Sequence, residues 1–178
     1  MEKINEVKNL LQSAVIELYH AEHYCKEYLK KAHRLGLQGE KRRLRYDSVK
    51  YHNLINYFTC DFLDLYGLDL IIQYSEVSVP PVTGIPDFFK KVLENYEDQY
   101  DKFHEIANKL VLLNAQNYAG NLYDICDCLT GYIKYYRRTV LEGETTGWKP
   151  EYIFLHQTTG ENIHDEYEKK EHEIGYKN

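Results

Sequence analysis

Apolar residues recur at alternating steps of three and four near the start of the chain: Ile4, Val7, Leu11, Ala14, Leu18, Ala21, Cys25, Tyr28 and Ala32. That period predicts an amphipathic helix over 3–34. Gly36-Leu37-Gln38-Gly39 ends it in a tight turn. A second stripe, Leu44, Tyr51, Ile55, Phe58, Phe62 and Leu65, predicts a helix over about 40–66. The short turn makes the two helices antiparallel neighbours. The period lapses over 67–85, where Val77-Ser78-Val79-Pro80-Pro81-Val82 reads as extended and Gly84 and Pro86 punctuate its end. It returns as Phe89, Leu93, Tyr96, Tyr100, Phe103, Ala107 and Leu110, a third helix over about 86–113. Leu122, Cys126, Leu129, Ile133, Tyr136 and Val140 mark a fourth over about 121–141.

Four such helices form an all-α four-helix bundle. A helix of about 27 residues is ~40 Å long, and a connection of about 18 residues reaches ~60 Å when extended. The 67–85 segment therefore predicts a long crossover between helices two and three, running the length of the bundle and making them parallel. Residues 1–141 are expected to form the bundle and 142–178 a C-terminal extension. Gly143, Gly147 and Pro150 break the fourth helix in this reading, and Tyr152-Ile153-Phe154-Leu155 is an apolar patch that docks on the bundle. The charged run Glu166 to Glu173 is expected to be solvated.

Composition narrows the function classes. The 178 residues are 43% hydrophobic and 28% charged, which suits one folded core and excludes a chain disordered throughout. No apolar run approaches the ~20 residues that span a bilayer. The charged start, Met1-Glu2-Lys3, lacks a signal-peptide core, and the four cysteines form no CxxC; both point to a cytoplasmic setting. A net charge of -6 argues against a dedicated nucleic-acid binder unless basic residues cluster. The 18 tyrosines favour interfaces and a homo-oligomer.

Glu17-Leu18-Tyr19 with Tyr24 beyond it, the turn at Leu35-Gly36-Leu37-Gln38-Gly39, His52 before Tyr57-Phe58, the long crossover and then Val92-Leu93-Glu94 together resemble the ferritin-like superfamily over about residues 8–141. The resemblance implies a di-iron centre held by carboxylates and histidines of four helices, and hence iron as cofactor. Glu17, His52 and Glu94 take the places of the first-, second- and third-helix ligands, and Tyr24 that of a tyrosine beside the centre. Val49 stands where the second helix would carry its Glu, and Asp127 is the nearest fourth-helix acid, off the apolar stripe. The implied site is thus incomplete or rearranged, with His20 and Glu97 as compensating ligands. The function expected is iron binding, with oxidation or storage; the alternative is a non-catalytic structural or binding module.

Two further patterns compete. Glu97-Asp98-x-x-Asp101 and Asp124-x-x-Asp127 resemble the acidic helices of MazG-type nucleotide pyrophosphohydrolases, whose carboxylates hold Mg²⁺. Arg45 and His52 weakly resemble the Arg–His pair of HEPN-type ribonucleases. Finally, a crossover bundle brings Lys41, Arg42, Arg43, Arg45, Arg137 and Arg138, with Lys30, Lys31, Arg34, Lys90, Lys91 and Lys134, to one pole. Those at helix N-termini oppose the helix dipole, so the pole is expected to bind a polyanion or an acidic partner.

Overall fold

Gly84, Pro86 and Asp87 start a helix by separate means. Gly84 accepts the first helical hydrogen bond from Phe88 N, Pro86 sits in the first turn, and the Asp87 carboxylate accepts from Thr83 N at 2.9 Å. In the computed structural model, which describes residues 1–157, this helix is α3, Ile85–Leu112. The others are α1, Glu2–Arg34; α2, Gln38–Tyr66; and α4, Gln116–Thr146. Residues 150–157 are also helical. The run Glu166 to Glu173 lies outside the described residues.

Side-chain contacts fix the helix directions. Tyr28 meets Phe88 and Glu17 meets Lys102, so α1 and α3 are antiparallel. Arg43 reaches Tyr96 and Tyr51 reaches Gln99, so α2 runs parallel to α3. Arg43 also reaches Tyr136 while Phe58 meets Tyr118, so α2 and α4 are antiparallel. The crossover is therefore a real one. It is tied to α1 by Ile71 N donating to Gln12 Oε1 and by Tyr74 against Tyr19 and His20. None of the described helices is long and apolar enough to cross a membrane.

The fourth helix is longer at both ends than the apolar stripe suggests. Asn114 takes the left-handed turn at φ 56°, so α4 starts at Gln116, and Gly120 lies inside it. Gly143 is also inside; the helix stops at Gly147, a left-handed cap at φ 66°. Trp148 follows at φ 53°, a conformation unfavourable for a bulky residue and held here by packing. Its ring lies over Gly143 and stacks on Phe89 with centroids 5.6 Å apart. Tyr152 and His156 continue the contact with α3 and α4. Phe154 and Leu155, by contrast, are largely exposed, so only part of the predicted apolar patch faces the bundle.

A Cβ on Gly143 would fall 2.4 Å from the Trp148 ring. Gly143→Ala is thus expected to expel that ring and cost about 1–3 kcal/mol by overpacking. Trp148 is the sole tryptophan, so a red shift in tryptophan fluorescence, with a lower urea midpoint, checks the outcome.

Candidate functional site

The α2 stripe extends backwards from Tyr51 in helical steps to Asp47, Arg43 and Glu40, and all three are buried. Arg43 is 2% exposed, the largest fully buried side chain among the described residues. Its Nη1 donates to Asp47 Oδ2 at 2.9 Å and to the Tyr96 hydroxyl. Its Nη2 donates to Tyr136 Oη at 2.7 Å and to Glu40 Oε2 at 3.4 Å. Tyr136 in turn donates to Glu40, and Tyr132 to Asp47 Oδ1 at 3.2 Å. The guanidinium lies 4.8–5.1 Å from the ring centroids of Tyr132, Tyr96 and Tyr136.

Two buried carboxylates would be severely destabilising without a counter-charge. Arg43 supplies it, and tyrosine hydroxyls and ring faces surround its two Nη groups, while its buried Nε has no hydrogen-bond partner. Burial opposes the Arg43 charge, but Tyr136, Tyr96, Glu40 and Asp47 outweigh it and keep the guanidinium protonated, with its pKa raised. Burial also pushes the Tyr96 and Tyr136 hydroxyls up, so both stay neutral donors and acceptors. Nearby Cys25 is raised by burial and then by Asp47, which makes it an inert thiol. The cluster is a buried ion-pair network centred on Arg43.

The residues implicated by the family resemblance lie elsewhere. Glu17, on the α1–α3 seam, has His20 Nδ1 at 3.6 Å and Lys102 Nζ at 3.7 Å. His52 faces outward, with Nδ1 3.5 Å from Glu22 Oε1. Val49, one turn before it, is 55% exposed, so the second-helix ligand positions inferred from the resemblance face solvent. Glu94 and Asp127 are exposed, and Glu97 receives Arg137 Nη2 at 2.8 Å. Tyr24 stacks on Tyr28. His20 is half-buried, and its Nε2 has no hydrogen-bond partner. Among the described residues, no three His, Cys, Asp or Glu side chains converge to hold a metal ion. As placed, these residues do not converge as a di-iron centre would require: Glu40 and Asp47 are held by a guanidinium, Glu17 and Glu97 face separate cations, and Glu94 and Asp127 are exposed.

The acidic pattern of the pyrophosphohydrolase reading is likewise divided. Asp98 pairs with Lys102 at 2.9 Å and Glu97 with Arg137, while Asp124 lies beside Asp127 with its pKa raised by burial and then by that charge. The basic pole is assembled by the topology, but much of its charge is met locally. Lys30 pairs with Glu27, Lys90 with Glu144, Lys91 with Asp87, Arg137 with Glu97 and Arg138 with Glu142. Arg43 is a correction to that grouping: it points inward, where no outside anion reaches it. Arg42 and Arg45 remain exposed, and Lys41 Nζ lies 3.1 Å from His33 Nδ1.

A four-helix bundle whose second and third helices run parallel across a long connection is the ferritin-like fold, and this chain has it. Solved structures bear this out. One, described as a ferritin-like, diiron-carboxylate protein from Bacillus anthracis, matches with a TM-score of 0.61 at 12% identity, covering 79% of this chain and 99% of that one. An open-pore ferritin from the hyperthermophilic archaeon Archaeoglobus fulgidus matches with a TM-score of 0.64 at 10% identity, covering 90% of this chain and 95% of its own. A closed form of that ferritin, engineered by site-directed mutagenesis, matches equally well. At such identities the likeness is one of fold. No protein-family model matches the sequence, and no curated protein does either.

Proposed function

We propose that this protein is a ferritin-like structural or binding module whose interior is organised by an arginine in place of a metal centre. The observation that carries the reading is the Arg43 cluster. A divalent cation entering between Glu40 and Asp47 would have to displace a guanidinium held by four hydrogen bonds and flanked by three rings. Like-charge repulsion at that distance, in a buried site, is strongly unfavourable.

Iron binding is the competing reading. It draws on the descriptions of the structural neighbours and on one observation here, the buried and unpartnered Nε2 of His20 beside Glu17. Lys102, 3.7 Å from Glu17, works against a cation there. Anaerobic calorimetric titration of the metal-stripped chain with Fe²⁺ separates the two. The module reading expects no site tighter than about millimolar. Tight binding that His20→Ala abolishes would establish the competing one.

A further inference from the structure

We propose that the cleft between the end of α1 and the start of α2 binds the phosphate group of a small organic phosphate. The inference uses no residue of the Arg43 cluster, so it can fail without the module reading failing, and the reverse. It follows from positive charge that the fold gathers in one cavity and leaves uncompensated.

Lys30 and Arg34 are one helical turn apart, as are Leu29 and His33, so the two pairs run side by side along the last turns of α1. Gly36 takes the left-handed conformation at φ 74°, and α2 turns back alongside. Lys41 thereby comes to face His33, with Nζ 3.1 Å from Nδ1. Leu29, Lys30, His33, Arg34 and Lys41 line a cavity of about 370 Å³. Small-molecule sites span roughly 300–1,000 Å³. Leu29 is half-buried and gives the cavity an apolar side.

None of the five lining residues is acidic. Lys30 is met by Glu27, one turn earlier on α1. Arg34 and Lys41, by contrast, meet no carboxylate among the described residues. The Lys41 ammonium can only donate, so His33 Nδ1 accepts and the ring is neutral, with its proton on Nε2. A neutral ring leaves the Lys41 charge unbalanced. Helix dipoles account for part of the set, since Arg34 lies in the last turn of α1, where a cation is favourable. They do not account for Lys41, which lies near the N-terminus of α2, where the field opposes a cation.

Two uncompensated cations match one dianion. A phosphate monoester carries a charge of about −1.5 to −2 at pH 7 and three acceptor oxygens. The planar fork of a guanidinium pairs with two such oxygens, and an ammonium supplies a point charge for the third. The cavity has room beyond the phosphate, and Leu29 offers the organic part of the ligand an apolar contact. The far side of the same pole does not extend the site. There Lys90 meets Glu144, Lys91 meets Asp87, Arg137 meets Glu97 and Arg138 meets Glu142. These pairs favour a compact ligand in the cleft over a polyanion laid across all four helix ends.

Titration of the full chain with adenosine 5′-monophosphate at low ionic strength, followed by backbone amide NMR, tests this. Saturable shifts are expected at Leu29, Lys30, Arg34 and Lys41, with a Kd of about 1 mM or below that rises with added salt. Adenosine, which lacks the phosphate, should move none of them. Inorganic phosphate should saturate the same amides more weakly, because it makes no contact with Leu29; equal affinity would make free phosphate the ligand and overturn the organic part of the proposal. Arg34→Gln combined with Lys41→Gln should weaken the nucleotide by about tenfold or more. Lys109→Gln, which removes a lysine paired with Glu105 near the other end of α3, should leave it unchanged. Unchanged amide shifts at Leu18 and Phe103 report that the double variant is folded. Shifts that do not saturate, that adenosine reproduces, or that survive the double substitution overturn the proposal.

Discussion

Replacing Arg43 by methionine is expected to destabilise the protein by about 3–5 kcal/mol, because it removes the guanidinium that balances two buried carboxylates. The loss is one of charge more than of packing, since methionine keeps much of the volume. Glu40 and Asp47 are buried at 1% and 2% exposure and cannot rotate into water. Without the guanidinium, they respond by raising their pKa values in the folded state. A carboxyl group whose folded pKa lies above its unfolded value contributes stability that is lost as pH rises. The Arg43→Met deficit should therefore be largest at pH 7–8 and shrink as pH falls towards about 5. Adding Glu40→Gln and Asp47→Asn to the same variant should recover most of the loss. Urea unfolding at several pH values checks all three statements. A deficit independent of pH would place the cost in packing instead.

Phe89→Ala is the second large effect, about 3–5 kcal/mol by cavity formation. Phe89 is fully buried and touches Phe88, Tyr136, Trp148 and His156, joining α3 to α4 and to the segment beyond it. The expected result has two parts. The wild type unfolds in one transition, with Trp148 fluorescence and far-UV circular dichroism coincident. In Phe89→Ala the fluorescence change runs ahead of the loss of helix, because the ring that holds Trp148 in its left-handed conformation is gone. Two separate transitions in the wild type would instead make residues beyond Thr146 an independent unit.

The fold is legible in the sequence because its signals are local and periodic. Three- and four-residue steps marked the four helices, and the lapse over 67–85 is too long for an ordinary bundle turn. The fourth helix outran its stripe at both ends, since Gly143 is selected by the ring lying over it and not by a break in the backbone. The candidate site was hidden for a related reason. A stripe drawn from apolar residues alone jumps from Leu44 to Tyr51 and leaves one helical turn empty. Asp47 fills that turn, and Arg43 and Glu40 continue it, so the gap was itself the signal for a buried polar set. Topology brings Arg43 to the same pole as Arg42 and Arg45, but helical phase turns it inward while they stay exposed. The same phase places Val49 and His52 on the outer face of α2. The Gln157 contact with Gly39 spans 118 residues, and no local pattern encodes it.

The central claim is that a guanidinium, not a metal, sits between the buried carboxylates of this ferritin-like bundle. The most direct measurement is the arginine side-chain ¹⁵N NMR spectrum, recorded before and after anaerobic addition of two equivalents of Fe²⁺. The account predicts separate, slowly exchanging Nη–H resonances for Arg43 at pH 7, as for a guanidinium locked in hydrogen bonds, with no paramagnetic broadening by iron. Averaged, rapidly exchanging Nη signals, or resonances erased by stoichiometric Fe²⁺, would contradict it.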